Sequence, residues 1–159
     1  MRNAILLLSL VLFCFSCQNK NEKEDISLEL QQKIQKYVEY WNTGQFEGIE
    51  NILSESFEVR TTPDFAPELG IEAFNESILN IRKLYPDFHL TVDEELYTTN
   101  AAAARWTIQA TSKTGEIIIN KGMSIVHFVD GKIKDEWIAN NDLNWLNQLG
   151  YTVLPPSTE

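Results

Sequence analysis

The sequence predicts an α+β domain, with helices first and an antiparallel sheet after them, the helices packed on one face of a curved sheet. Three observations predict it. Up to Tyr85, apolar residues recur mostly at steps of three and four, which places them on one side of a helix. From Phe88 to Ala139 they recur at steps of two, interrupted by turn residues. Helices and hairpins that are segregated along the chain, rather than alternating, favour helices on one face of an antiparallel sheet over a parallel sheet. A length of 159 residues suits one domain with its own core.

The chain opens with MRNAILLLSLVLFCFS, a basic start at Arg2 followed by an apolar run from Ala4 to Phe15. That run is too short for a membrane-spanning helix, which needs about 20 apolar residues, and it fits a secretory signal. Residues 14–17 read C-F-S-C. As C-x-x-C this could be a redox motif, but it lies in an apolar leader with no strand–helix context. Ser16-Cys17 followed by Q-N-K-N-E-K-E-D resembles bacterial lipoprotein signals instead. That resemblance implies cleavage before Cys17, a lipid on its thiol, and a domain anchored at the bacterial cell envelope outside the cytoplasm. An ordinary signal peptide cut nearby is the alternative. Gln18 to Asp25 holds no apolar residue and reads as a flexible tether. The expected division is therefore signal 1–16, tether 17–25 and domain 26–159.

Within the domain, Ile26, Leu30, Ile34, Tyr37, Val38 and Trp41 form the stripe of a first helix, which N42-T-G44 ends. Phe46, Ile49 and Leu53 suggest a short second helix, and Phe57 and Val59 a short strand. Thr61 to Gly70, with Pro63 and Pro67, reads as a loop. Ile71, Phe74, Ile78, Ile81 and Tyr85 mark a third helix, which Pro86 stops.

Three or four strands follow. Phe88, Leu90 and Val92 alternate, as do Ala102, Ala104, Trp106, Ile108 and Ala110. Lys113-Thr114-Gly115 is a turn. Met123, Ile125, His127 and Val129 alternate next, and Asp130-Gly131 is a hairpin signal leading into Ile133–Ala139.

Composition narrows the function. The formal charge is −10, and loss of the leader with Arg2 leaves −11. Nucleic acid and direct contact with anionic lipid are disfavoured. With Cys17 lipidated the domain has no thiol, and two histidines without H-E-x-x-H spacing do not suggest a metal site. No phosphate loop, Walker motif or G-x-S-x-G elbow is present. No cofactor is expected.

Three candidate polar residues remain. His127 shares parity with Met123, Ile125 and Val129, which predicts an inward imidazole: a general acid or base, or a core histidine with satisfied nitrogens. In the last strand Ile133 and Trp137 predict the inward face, with Asn141 continuing it and Glu136 facing solvent. Asp142 is expected to cap the following helix, unless a bulge turns it inward. Tyr37, Trp41, Trp106 and Trp137 are candidate pocket residues or plain core, and Arg60 is placed near the mouth.

W-N-T-G, Y-P-D, A-A-R-W-T, V-D-G-K-I-K-D-E-W and the terminal Q-L-G resemble, in order and spacing, the SnoaL-like polyketide cyclases, ester cyclases of the NTF2-like superfamily. The resemblance runs from Ile26 to Gly150. It implies a cone-shaped α+β fold, a strand histidine at His127, and an acid/base carboxylate nine residues before Gly150. That position holds Asn141. An amide cannot take a proton from carbon but can donate a hydrogen bond to a carbonyl or enolate oxygen. Three readings follow. One is a module binding a small apolar molecule in its cone. Another is an acid/base enzyme using His127 with Asn141 or Asp142. The third is an assembly module that forms a homodimer through its sheet.

Overall fold

The computed structural model describes residues 26–61 and 66–154. The expectations for the leader, Cys17 and the tether lie outside those residues. Helix α1 spans residues 26–43. It is followed by α2 (Ile49–Ile52), β1 (Leu53–Arg60), β2 (Glu68–Leu69), α3 (Gly70–Leu84), β3 (His89–Tyr97), β4 (Ala101–Thr111), β5 (Ile117–Val129), β6 (Lys132–Asn140) and α4 (Asp142–Gln148). This is the expected α+β order. The described strands form one six-stranded sheet in the order β2-β1-β6-β5-β4-β3.

Three details differ from the sequence reading. Glu68–Leu69, expected in a loop, pairs with Glu58 and Val59. The sheet is also mixed, because β1 lies parallel to β6. A helix–loop segment separates β1 from the later hairpins, and so it can return to the sheet in the same direction as β6. The second helix is shorter than its spacing suggests, since Leu53 already belongs to β1.

The core lies between the helices and one face of the sheet. Leu30, Ile34, Tyr37 and Tyr40 from α1 and Phe74 and Ile78 from α3 pack against Leu53, Phe57, Val59, Val126, Phe128 and Ile133. Each large apolar side chain so buried contributes roughly 1.5–3 kcal/mol relative to exposure. The β5–β6 turn follows the predicted chemistry: Asp130 and Gly131 both take positive φ, 50° and 72°.

Three of the recognised motifs tie the layers together. Asn42 of W-N-T-G acts as a short strand against the free edge of β3: its amide donates to Leu90 O at 2.9 Å and accepts from Leu90 N at 2.7 Å. Asp87 of Y-P-D accepts from the Thr111 N–H at 2.9 Å and from its hydroxyl, which holds the Asp87 carboxyl below its usual range. Gln148 of Q-L-G pairs both backbone groups of Ile119, accepting from N at 2.9 Å and donating to O at 2.8 Å. Its pairing occupies the stretch of β5 that extends beyond the end of β6.

Candidate functional site

Between α1, α3 and the inner face of the sheet lies a cavity of about 420 Å³. Its wall is mostly apolar: Trp41, Phe88, Leu90, Val92, Trp106 and Ile138 are among the lining residues. Two β-bulges decide its polar groups. In β6 the register with β5 slips between His127 and Phe128: Ile133 stands opposite Phe128, whereas Asp135 stands opposite His127 and Glu136 opposite Val126. The extra residue, Lys134, reverses the parity of everything after it. Glu136 therefore points inward with 6% exposure, and Trp137 points out. In β3 the slip between Val92 and Glu94 does the same. Val92 faces in opposite Trp106, Glu94 faces out opposite Arg105, and Glu95 and Tyr97 turn into the cavity opposite Ala104 and Ala102.

Glu136 is the buried pole of the cavity. The Tyr37 hydroxyl donates to its Oε2 at 2.5 Å. Trp106 Nε1–H donates to Ser124 Oγ at 2.9 Å, which leaves the Ser124 hydroxyl hydrogen for the neighbouring carboxylate. Burial raises the Glu136 carboxyl above its ordinary value of 4.5, and the Tyr37 and Ser124 hydrogen bonds pull partly against that. Burial, and then the Glu136 charge, push the Tyr37 phenol well above 10.0, so it remains a donor. Its ring is fixed by stacking on Phe74 at 5.2 Å and an edge contact with Phe57 at 6.1 Å.

Gly122 makes this geometry possible. A Cβ there would lie 2.2 Å from the Trp106 ring. Glycine thus lets the indole lie on β5 and reach Ser124. A second polar group sits on β3, where the Tyr97 hydroxyl donates to Glu95 at 2.9 Å. Desolvation and the Glu95 hydrogen bond raise the Tyr97 phenol. Among the described residues lining the cavity there is no Lys, Arg or His.

The structure brings Tyr37, Trp41 and Trp106 to the cavity and places the other candidates elsewhere. His127 does not face inward. It lies on the outer face beside Asp135, Nδ1 to Oδ1 2.6 Å, with its side chain 47% exposed. The inward residues of β5 are Ile118, Asn120, Gly122, Ser124, Val126 and Phe128, a less apolar set than the outward one. Parity misleads here because the outer face is apolar too. Trp137 is also on the outer face, where Arg60 stacks on it at 5.3 Å and bonds Glu58 at 2.7 Å. Arg60 is therefore not at the cavity mouth.

Asn141 is not an inward strand residue but the N-cap of α4, its side chain accepting from Asn144 N at 3.2 Å. Asp142, expected to be the cap, is the first helical residue and is exposed. Glu136, read as solvent-facing, is the residue that sequence reasoning missed. Its only signal was the run Lys134-Asp135-Glu136, which puts a polar residue at Asp135 where alternation from Ile133 calls for an apolar one, and strand parity alone does not show a bulge. Among the described residues no three His, Cys, Asp or Glu side chains gather as a metal site.

Helices over a curved sheet enclosing an apolar cavity define an NTF2-like cone. The chain belongs to the SnoaL-like polyketide cyclase family, whose model matches residues 31–149. A protein from Bacillus cereus ATCC 10987 assigned as a polyketide cyclase is 29% identical, with a TM-score of 0.68 over 77% of this chain and 80% of that one. TsrD from Streptomyces laurentii (22% identity, TM-score 0.69, 77% and 96% covered) has the same fold. So does a SnoaL-like polyketide cyclase from Agrobacterium tumefaciens C58 (17%, 0.64, 76% and 98%). No curated protein sequence matches the chain.

Proposed function

We propose that this chain is an envelope-tethered SnoaL-like domain that binds a small, neutral, apolar molecule in its cone. The cavity carries the reading. About 420 Å³ of mostly apolar space is lined by Trp41 and Trp106 among others, and its ionisable lining groups among the described residues are Glu68, Glu95, Glu136, Tyr37 and Tyr97, with no cation. An anionic ligand would meet carboxylates in a low-dielectric enclosure, whereas a neutral ring system gains burial and a hydrogen-bonding pole at Glu136 and Tyr37. Saturation-transfer NMR with 2-tetralone and with 2-naphthoate, two bicyclic probes of similar size, tests this. Transfer to the ketone and none to the carboxylate is expected; equal transfer to both would sink the reading.

The tether is proposed from residues 1–25: a signal over 1–16, a lipid on Cys17 and a spacer to Asp25, with the folded domain from Ile26 held at the bacterial envelope. Labelled palmitate should enter the wild type and not Cys17→Ser. Equal incorporation would remove the anchor.

One observation favours an assembly role as well. The outer face of β5 exposes Ile117, Ile119, Met123, Ile125 and Val129, interrupted by Lys121 and His127, with Trp137 beside it on β6. A largely apolar sheet face of this kind is a contact surface, and a second copy of the chain is its proposed occupant. Analytical ultracentrifugation should give a dimer that Ile125→Lys converts to monomer.

A further inference from the structure

The hydrogen bonds inside the cone leave its polar end rich in acceptors. Tyr37 gives its hydroxyl proton to Glu136 Oε2 at 2.5 Å, Tyr97 gives its own to Glu95 Oε2 at 2.9 Å, and the Trp106 N–H is taken by Ser124 Oγ at 2.9 Å. An ionised carboxylate has about four acceptor sites, so each glutamate keeps room for a further donor. Among the described residues no lining cation supplies one. Arg82 of α3 is engaged elsewhere, its Nη1 donating to the carbonyls of Trp41 and Phe88 at 3.1 and 3.2 Å. The walls beside these acceptors are aromatic: Trp41, Phe88 and Trp106 line the same space, and aromatic faces attract a cation. We propose that the cone binds a small ring system carrying one ammonium group, its nitrogen hydrogen-bonded to the Glu136 carboxylate and its ring body against the tryptophans. The proposal rests on the cone being a small-molecule site and extends its ligands from neutral rings to ring amines.

Other ligand classes match this end of the cavity less well. A ketone gains burial but brings an acceptor to a pole that already holds acceptors. An anion adds a like charge to the three lining carboxyl groups, Glu68, Glu95 and Glu136. A primary ammonium brings three donors and a positive charge, and hydrogen bonds between charged partners are stronger than neutral ones. Burying an ammonium costs solvation, which a paired carboxylate offsets. Glu136 is buried, so water and salt screen that pairing little. The positive charge also favours ionised Glu136, against the burial that raises its carboxyl. The other titratable groups facing the cavity are Tyr37 from α1, Glu68 from β2, and Glu95 and Tyr97 from β3. Both phenols are raised and stay protonated, so they hold the carboxylates and do not compete for the nitrogen.

The test compares 2-aminotetralin with 2-tetralone, which share one ring system, by calorimetric titration near neutral pH, while saturation transfer reports contact. Physiological salt screens exposed carboxylates. The amine should bind on the order of 10-fold more tightly than the ketone. Glu136→Gln should remove that preference and leave the ketone affinity unchanged, whereas Glu95→Gln should retain the preference. Equal affinities in wild type, a preference that survives Glu136→Gln, or one abolished by Glu95→Gln overturns the proposal and leaves the cavity reading standing. Saturation transfer from neither compound overturns both. If Glu136→Gln does not fold, the double variant Glu68→Gln/Glu95→Gln decides, because Glu136 is then the one lining carboxyl left among the described residues. Its amine affinity should fall as acid protonates Glu136, with the ketone affinity unmoved. An amine preference that stays constant through that titration overturns the proposal.

Discussion

Tyr37 and Glu136 stand 99 residues apart in the chain and share a 2.5 Å hydrogen bond in the wall of the cone. The bond joins the first helix to the last strand across the cavity, and both groups are buried. The phenol donates and the carboxylate accepts. The pair therefore links folding to the protonation of a single acid.

That linkage has a sign. Folded Glu136 holds its proton more tightly than the unfolded chain does, because burial raises it above 4.5. The stability it contributes is complete below that value and is lost as pH rises through the raised folded pKa. Urea unfolding of wild type and Glu136→Gln across that window should show wild type losing stability relative to the variant as pH increases. A difference that stays constant with pH would contradict it.

Gly122 is the floor under Trp106. Gly122→Ala puts a methyl group into the indole and also 2.7 Å from the Ala139 carbonyl. Overpacking of this kind costs about 1–3 kcal/mol, to be read from urea midpoints. Tryptophan emission should also change, since the Trp106–Ser124 bond cannot survive displacement of the ring.

Asn42 closes the edge of β3 with two hydrogen bonds to Leu90. Asn42→Ala removes both, at about 0.5–1.5 kcal/mol each. Hydrogen exchange should show the Leu90 amide losing protection far more than amides in β4.

Gln148 holds α4 on β5 in the same manner, and no α4 residue is fully buried. Gln148→Ala should therefore release the Ile119 amide to exchange and loosen α4, while the Tyr37–Glu136 pair and the global unfolding midpoint change little. A large fall in global stability would show that α4 belongs to the main cooperative unit.

The fold was legible from the sequence because it rests on repetition. Ile26, Leu30, Ile34 and Tyr37 state a helix face several times over, and Ala102, Trp106 and Ala110 do the same for the inner face of β4. One exception cannot hide such a pattern. The aromatic wall was legible for the same reason: Tyr37, Trp41 and Trp106 lie on those repeated faces.

The acid was not legible. Periodicity determined the α+β order and the helix faces, the Asp130–Gly131 pair marked the hairpin, and the resemblance of motifs such as W-N-T-G and Q-L-G pointed to the family. Tertiary structure alone decided which way Glu136, Trp137 and His127 point. A side chain's face in a strand is set by pairing register, and one extra residue at Lys134 inverts every face beyond it. Both sheet faces are apolar here, so hydrophobicity along β5 could not tell inside from outside. The neighbouring strands made that choice, by placing Trp106 over Gly122 and Val126 beside Glu136.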